Sequence, residues 1–392
     1  MLDYDPFSLH VRRDPYPIYR RLRDEAPAYY LPKYDAWALS RFQDVWDASS
    51  DADSYSTAKG TTPAQVLTKE QPVTPMLNVM DPPEHTRLRA VIRKCFLPRH
   101  LRGLQPLVKQ TFDGLLDEVV DQGSCDVVQD LGARLSVQVA CLAIGIAPEE
   151  GPTLNAMVKR FFAHDPDTGG MTPDGLQALA DLTAFCEDLI RRRRRQPGDG
   201  PEAADALIRF RDAEGRGFPD EVAASHVTML VIGGSETFPK TLANGILRLY
   251  EHPDQRRALA QGRIETPAAY EEILRYDMPT QFLCRTLKRD VTLHEQQMRE
   301  GQAVMFLYAS ANHDDREFER PEEFDIERRF LRHLSFSAGT HACLGTHVAR
   351  MEGRITLDGI LSRMPEYEVD LGGAVRLRTE FVQGFSRLPI RF

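Results

Sequence analysis

Ten residues near one end of the chain, Phe336-Ser337-Ala338-Gly339-Thr340-His341-Ala342-Cys343-Leu344-Gly345, restrict it more than any other stretch. They set one cysteine in a loop that an aromatic residue opens, with a glycine on either side of it. Glycine has no Cβ, so the backbone can turn at positive φ and come close to a ligand. The residues that follow, Thr346 to Glu352, read as a helix whose N-terminal dipole lies beside Cys343 and favours a charged sulfur. The thiolate, not the thiol, ligates metal. A thiolate on a loop able to approach a flat, bulky group points to haem iron held by cysteine, a ligand that pushes electron density toward O–O cleavage. Taken alone, the loop leaves a plainer reading open. A lone cysteine is commonly a small buried hydrophobe, and two glycines can mark only a turn.

The rest of the chain narrows the choice. With 42% hydrophobic and 27% charged residues, 392 residues can pack a core, and a net charge of -9 argues against general nucleic-acid binding. The run Arg191–Arg195 ends a predicted helix before Gln196-Pro197-Gly198, where basic residues suit the helix dipole, so it reads as a solvated helix end. Six cysteines, at 95, 125, 141, 186, 284 and 343, show neither CxxC spacing nor a disulfide framework, and thiols in a reducing compartment are expected. The opening residues have no signal-peptide pattern, and no run approaches 18 apolar residues. A cytoplasmic protein that crosses no membrane is the expectation.

Helical periodicity dominates, over 84–94, 101–121, 126–145, 151–163, 172–195, 202–211, 219–250, 254–261 and 267–276, after a first helix within 14–26. Residues 35–41 read as a short strand and 60–75 as a loop. Short strands are expected at 281–285, 291–293 and 303–305 and in the tail from Tyr367 to Phe392. The expectation is one large, mainly α domain spanning 1–392, with small sheets near its ends.

Three further patterns stand out. Glu272 and Arg275 are three apart and share a helix face as an ion pair. On a surface such a pair contributes little, but the polar meander through Asn312, Phe318, Pro321, Phe324, Asp325 and Arg328 could bury it in a bidentate network with Arg328. Gly233-Gly234-Ser235-Glu236-Thr237 falls inside the predicted 219–250 helix, where each glycine costs about 1 kcal/mol relative to alanine. Missing side chains there leave room for a ligand, Pro239 removes the donor for the Ser235 carbonyl, and an acid followed by an alcohol suits proton delivery. A kink made only for packing is the alternative. In Asp81-Pro82-Pro83-Glu84-His85-Thr86-Arg87-Leu88-Arg89, His85 and Arg89 share a helix face and could clamp carboxylates or simply face solvent.

Together, F-x-x-G-x-H-x-C-x-G, Glu272-x-x-Arg275, Gly-Gly-x-Glu-Thr and D-P-P-E-H-T-R-L-R, in that register from Asp14-Pro15-Tyr16-Pro17 to the C-terminal strands, resemble the bacterial soluble cytochromes P450, haem-thiolate monooxygenases. The resemblance implies a triangular, mainly α fold with small β-sheets and a haem b cofactor. It implies Cys343 as the axial ligand and His85, Arg89, Arg285 and His341 as propionate partners. Glu272, Arg275 and Arg328 would brace the cysteine loop, while Thr237 and Glu236 would handle protons on the distal side. Departures are small: Gly233 stands where alanine is common, His341 where arginine is equally familiar, and Asp315 where proline is usual.

The implied reaction inserts one oxygen atom of O2 into an apolar substrate. Electrons would come from NAD(P)H through a ferredoxin reductase and a ferredoxin, because no flavin or iron–sulfur signature occurs. Arg87, Arg93, Lys94, Arg99, Arg102 and Lys109 form a basic region suited to an acidic ferredoxin. The expected pocket, from 73–79, Phe161, Phe162, Met229, Ile232, Gly233, 281–283 and 382–385, is apolar without a cluster of positive charge. It favours a terpenoid, steroid or aromatic molecule over a fatty acid. A monomer is expected. A peroxide-driven fatty-acid peroxygenase and a non-catalytic haem sensor or carrier are the alternatives. The first lacks the acid–alcohol pair and the second needs none. A cysteine hydrolase using Cys343 and His341 lacks an orienting partner.

Overall fold

The computed structural model describes residues 2–71, 73–74, 76–163, 172–198 and 200–392. Helices build most of it, and the amphipathic patterns give nearly the expected elements: Tyr16–Glu25, Glu84–Ile92, Pro98–Val120, Ala133–Ile144, Gly151–Phe161, Pro173–Arg195, Ala203–Arg209, Pro253–Ala260 and Thr266–Tyr276. The 219–250 expectation resolves into two helices, Asp220–Ser235 and Thr237–Glu251, which meet at Glu236. The expected 60–75 loop holds a short helix, Pro63–Val66, after Thr62 and closed by a capping box with Gln65. Pro72 and Pro75 of that stretch lie outside the described residues.

Strand order in the main sheet is Ala28–Leu31, Ala36–Leu39, Ala303–Phe306, Leu283–Leu287 and Tyr55–Ser56. The Ala36–Leu39 and Ala303–Phe306 strands pair in parallel, the others antiparallel. Register sets Arg285 opposite Val304, in the interior of the sheet. The tail forms a hairpin, Val375–Arg378 with Gln383–Arg387, and the strand Pro389–Arg391, which pairs with Ser124–Asp126 and Glu368–Val369. Several of these elements escape sequence reading. Tyr55–Ser56, Ser124–Asp126 and the others have too few residues to show a period, and partners far along the chain order them. The helix Phe42–Ser50 was also missed.

One stretch, Val127–Ile144, is long and apolar enough to cross a membrane by length and composition, contrary to the expectation that none is. It opens with a wide π turn at 127–132 and is 67% buried against neighbouring helices. Its apolarity is that of a core helix. The arginine run is likewise accounted for: Arg191, Arg192, Arg193 and Arg194 each face one or more acids, among them Glu187, Glu150, Asp205 and Asp220.

Candidate active site

The cysteine loop lies between the meander and the helix Thr346–Arg363. The Cys343 amide donates to the Phe336 carbonyl at 2.7 Å, which closes the loop, and the Thr346 hydroxyl donates to the Cys343 carbonyl at 2.8 Å. Gly339 has φ +65°, and a Cβ there would fall 2.3 Å from the Ser49 carbonyl oxygen, so only glycine lets the loop press on the end of the Phe42–Ser50 helix. Cys343 is exposed, whereas Cys95, Cys125, Cys141, Cys186 and Cys284 are buried. Burial pushes the Cys95 thiol up to about 11 and the other four to about 12, which leaves them inert. Desolvation also raises the Cys343 thiol, although its side chain is open to solvent. The Gly345 amide, Arg89, Thr346 and Arg350 act in the opposite sense.

Beneath the loop the expected network is present and fully buried. Arg275 binds both Glu272 oxygens, at 2.7 and 2.8 Å, with neither side chain exposed. Arg275 also donates to the carbonyls of Asn312 and Pro321, and Arg328 reaches Glu272 at 3.2 Å. Asn312 extends the network to the loop: its Oδ1 accepts from the Leu334 amide at 2.7 Å and its Nδ2 donates to Ser335. This is the geometry in which a buried ion pair holds a backbone in register.

His85, Arg89, Arg285 and His341 are brought together from the Glu84–Ile92 helix, the Leu283–Leu287 strand and the cysteine loop itself. The rings of His85 and His341 stack with centroids 4.1 Å apart. His85 is wholly buried, and neither of its ring nitrogens has a hydrogen-bond partner. Burial, then Arg89, lowers its pKa to about 4; burial, then His85, Arg285 and Arg89, lowers that of His341 to about 2. Arg285 is buried and donates to the Cys284 carbonyl at 2.7 Å, and Arg89 donates to the Ala342 carbonyl. Among the described residues neither arginine pairs with a carboxylate. Unpartnered buried nitrogens and uncompensated guanidinium groups are costly unless something anionic meets them. The set suits a ligand with carboxylates at its edge.

A second feature is the break at Glu236, where the Asp220–Ser235 and Thr237–Glu251 helices meet. Pro239 cannot donate to the Ser235 carbonyl; the Ser136 hydroxyl does, at 3.2 Å, and the Thr241 hydroxyl donates to the Thr237 carbonyl at 3.0 Å. Gly233 and Gly234, in the last turn of the Asp220–Ser235 helix, are exposed, and a Cβ on Gly233 would meet nothing within 4 Å. The missing side chains therefore open space rather than relieve a clash. Half-buried Met80, Phe162, Met229, Ile232 and Leu344 pack against one core cluster; Phe161 is half-buried beside Phe162, and Leu283 is half-buried against a different cluster. Gln281, Val382 and Phe385, expected in the lining, are instead core residues, 1%, 4% and 2% exposed. Sequence reading also missed Lys240. Its ammonium lies 3.1 Å from Glu236 Oε1 and 5.5 Å from the Phe162 ring centroid, and it is 7% exposed. The signal was there in the i, i+4 spacing; it adds one ammonium, paired with a carboxylate, beside Phe162.

An exposed thiol, two arginines without a carboxylate partner and an orphaned histidine, gathered at one loop, fit haem b. Comparison with known proteins agrees. The family model described as Cytochrome P450 matches residues 266–388. The chain is 34% identical to the "Putative cytochrome P450 123" of Mycobacterium tuberculosis, over 98% of this chain and 96% of that one. It is 32% identical to the "Vitamin D(3) 25-hydroxylase" of Pseudonocardia autotrophica, over 99% and 96%. Among solved structures, that of CYP109E1 from Bacillus megaterium in complex with testosterone superposes with a TM-score of 0.86 at 26% identity, covering 98% of this chain and 99% of that one.

Proposed function

The chain belongs to the cytochrome P450 family, whose cofactor is haem b, and from that premise we propose that it inserts one oxygen atom of O2 into a neutral, hydrophobic polycyclic molecule such as a steroid or terpenoid. The observation that carries the reading is Cys343 standing exposed on a loop that also gathers Arg89, the orphaned His85 and the buried Arg285 around Ala342 and His341. Cys343 would hold the iron, and His85, Arg89, Arg285 and His341 would hold the propionates. When bound, the cofactor supplies the activation of O2 and the oxidising power for C–H hydroxylation. Thr237 and Glu236, at the helix break, would hold and pass protons toward the reacting oxygen. Lys240 holds the Glu236 carboxylate in place between deliveries. The half-buried apolar residues exclude water and orient the substrate by shape. Relatives that act on vitamin D(3) or bind testosterone support a polycyclic substrate.

Electrons reach the site from NAD(P)H through a ferredoxin reductase and an acidic ferredoxin. Arg87, Arg93, Lys94, Arg99, Arg102 and Lys109 are all exposed, and Arg93 acts electrostatically on His347 of the helix that follows Cys343. The link from Arg93 to His347 supports a basic docking face near the cysteine loop. Reversing Arg93 and Arg102 together removes most of the salt dependence of reduction; unchanged salt dependence rejects this docking face. A cytoplasmic setting follows from the need for these donors.

The deciding experiment supplies the haem-loaded chain with ferredoxin, reductase, NAD(P)H and a steroid panel, and follows product and NAD(P)H together. Hydroxylated product is expected. In Thr237→Ala the product formed per NAD(P)H falls by about tenfold or more while substrate still binds. Product with peroxide alone, or no product from any donor, overturns the reading.

A further inference from the structure

We propose that His226 is a positioning residue for the substrate pocket: its ring pins segment 77–80 to the Asp220–Ser235 helix and so fixes one wall of the space above the cysteine loop. This rests on reading that space as the substrate site. The Leu77 amide donates to His226 Nδ1 at 3.1 Å, between residues 149 apart in sequence. Leu77 is 3% and His226 2% exposed. A backbone N–H can only donate, so Nδ1 must accept and the ring must be neutral, with its proton on Nε2. Burial among apolar groups lowers the pKa of His226 and favours that form. The Phe218 ring, 5.0 Å away between centroids, holds the imidazole in orientation.

The far end of the segment has its own anchor. The Met80 carbonyl accepts from the Thr57 hydroxyl at 2.9 Å, and Asp81 accepts from the Thr57 amide at 2.9 Å and the Ser56 hydroxyl at 2.6 Å. The Thr57 hydroxyl also lies 3.4 Å from His341 Nε2. The segment therefore runs from the long helix to the edge of the histidine and arginine cluster. Met80 packs against the same core cluster as Ile232, which precedes Gly233, and Leu344, which follows Cys343. Between its anchors lies a single tight turn, Leu77–Val79, with no strand partner. One imidazole thus does what a sheet ladder does elsewhere.

The test uses the full haem-loaded chain with His226→Phe, which keeps a ring against Phe218 but removes the acceptor, and His226→Asn, whose Oδ1 can accept the same N–H. Amide exchange of 77–80 by mass spectrometry and optical titration with 4-phenylimidazole are the readouts. In His226→Phe, exchange should quicken about tenfold and the probe should bind about fivefold more weakly. In His226→Asn both should return most of the way toward the native values. Native exchange in His226→Phe overturns the proposal, as does His226→Asn exchanging as fast as the Phe variant. If the Phe variant does not fold, His226→Leu replaces it under the same criteria. Exchange requires no turnover, so its result separates a failed clamp from a failed monooxygenase reading.

Discussion

Glu272, under the cysteine loop, has both oxygens bound by Arg275, accepts a third bond from Arg328, and leaves 0% of its side chain exposed. Glu236, at the helix break, meets one ammonium, that of Lys240, and keeps 14% of its side chain exposed. Both are buried acids paired with a base close by on the same stretch of helix. They differ in how many directions hold them. Glu272 is fixed by groups from its own helix and from the meander, so no rotation frees it without breaking several bonds. Glu236 is fixed from its own helical stretch alone, at the point where the helical hydrogen bonds are already interrupted. A fully bonded buried pair sets geometry, whereas a singly bonded one beside an opening can turn and exchange a proton.

The largest effect that tests this contrast comes from Arg275→Met. Removing the guanidinium leaves Glu272 buried without its partner, a change that costs about 3–5 kcal/mol. The carbonyls of Asn312 and Pro321 lose a donor as well. Denaturant unfolding should show the loss, and haem uptake should fall with it, because the meander no longer holds Leu334 and Ser335 ahead of the loop. A stability loss under about 1 kcal/mol would break the comparison by making Glu272 no more tightly held than a surface acid.

Lys240→Met should cost much less stability, about 1 kcal/mol, since the lost bonds to the Glu236 carboxylate and carbonyl leave Glu236 able to turn toward solvent. Its mark should appear in proton delivery instead. The solvent isotope effect on product formation and its pH profile should both change, while substrate affinity holds within about twofold. Lys240→Arg should restore much of the native profile. A profile identical to the native one in Lys240→Met would show that the ammonium only fills space beside Phe162 and the chain at Gly384.

How much of this was legible beforehand follows from the range of the forces involved. The Glu272–Arg275 pair could be read because its partners are one helical turn apart, and the helix break because Gly-Gly and Pro239 are costly in a helix. Cys343 stood out because its loop carries its own punctuation. His226 gave no such signal, since its partner is an amide 149 residues away. Tyr55–Ser56 and Ser124–Asp126 were invisible for the same reason: long-range pairing orders them. Lys240 lay within helical reach of Glu236 and could have been found. The expected lining failed at Val382 and Phe385 because apolar residues in a resembling position read alike whether they face a cavity or the core, and at Gln281 because its amide is tied to the Met278 carbonyl.

The smallest effect concerns Glu271, the neighbour of Glu272 on the outer side of the same helix. Arg350 grips it at 2.6 and 2.7 Å and His333 approaches to 3.0 Å, but its side chain is 26% and that of Arg350 40% exposed. Burial pushes the Glu271 carboxyl up, yet the bonds and charges of Arg350 and His333 outweigh it and bring the pKa to about 2. A carboxyl whose folded pKa is depressed stabilises fully above its unfolded value, about 4.5, and loses that contribution as pH falls through the folded value. The window is therefore between about pH 4.5 and 2. Solvent screening at the exposed arginine trims the contribution to about 1–2 kcal/mol. Unfolding free energies of the native chain and Glu271→Gln should converge across that window and differ by a constant amount above it. Because Arg350 also lies over the Phe336 ring, 5.1 Å from its centroid, the variant should loosen the start of the cysteine loop slightly. A gap that persists unchanged below pH 3 would place Glu271 with Glu272, as an acid whose neighbours matter through shape rather than charge, and the gradation from braced to half-exposed acids would collapse to two classes.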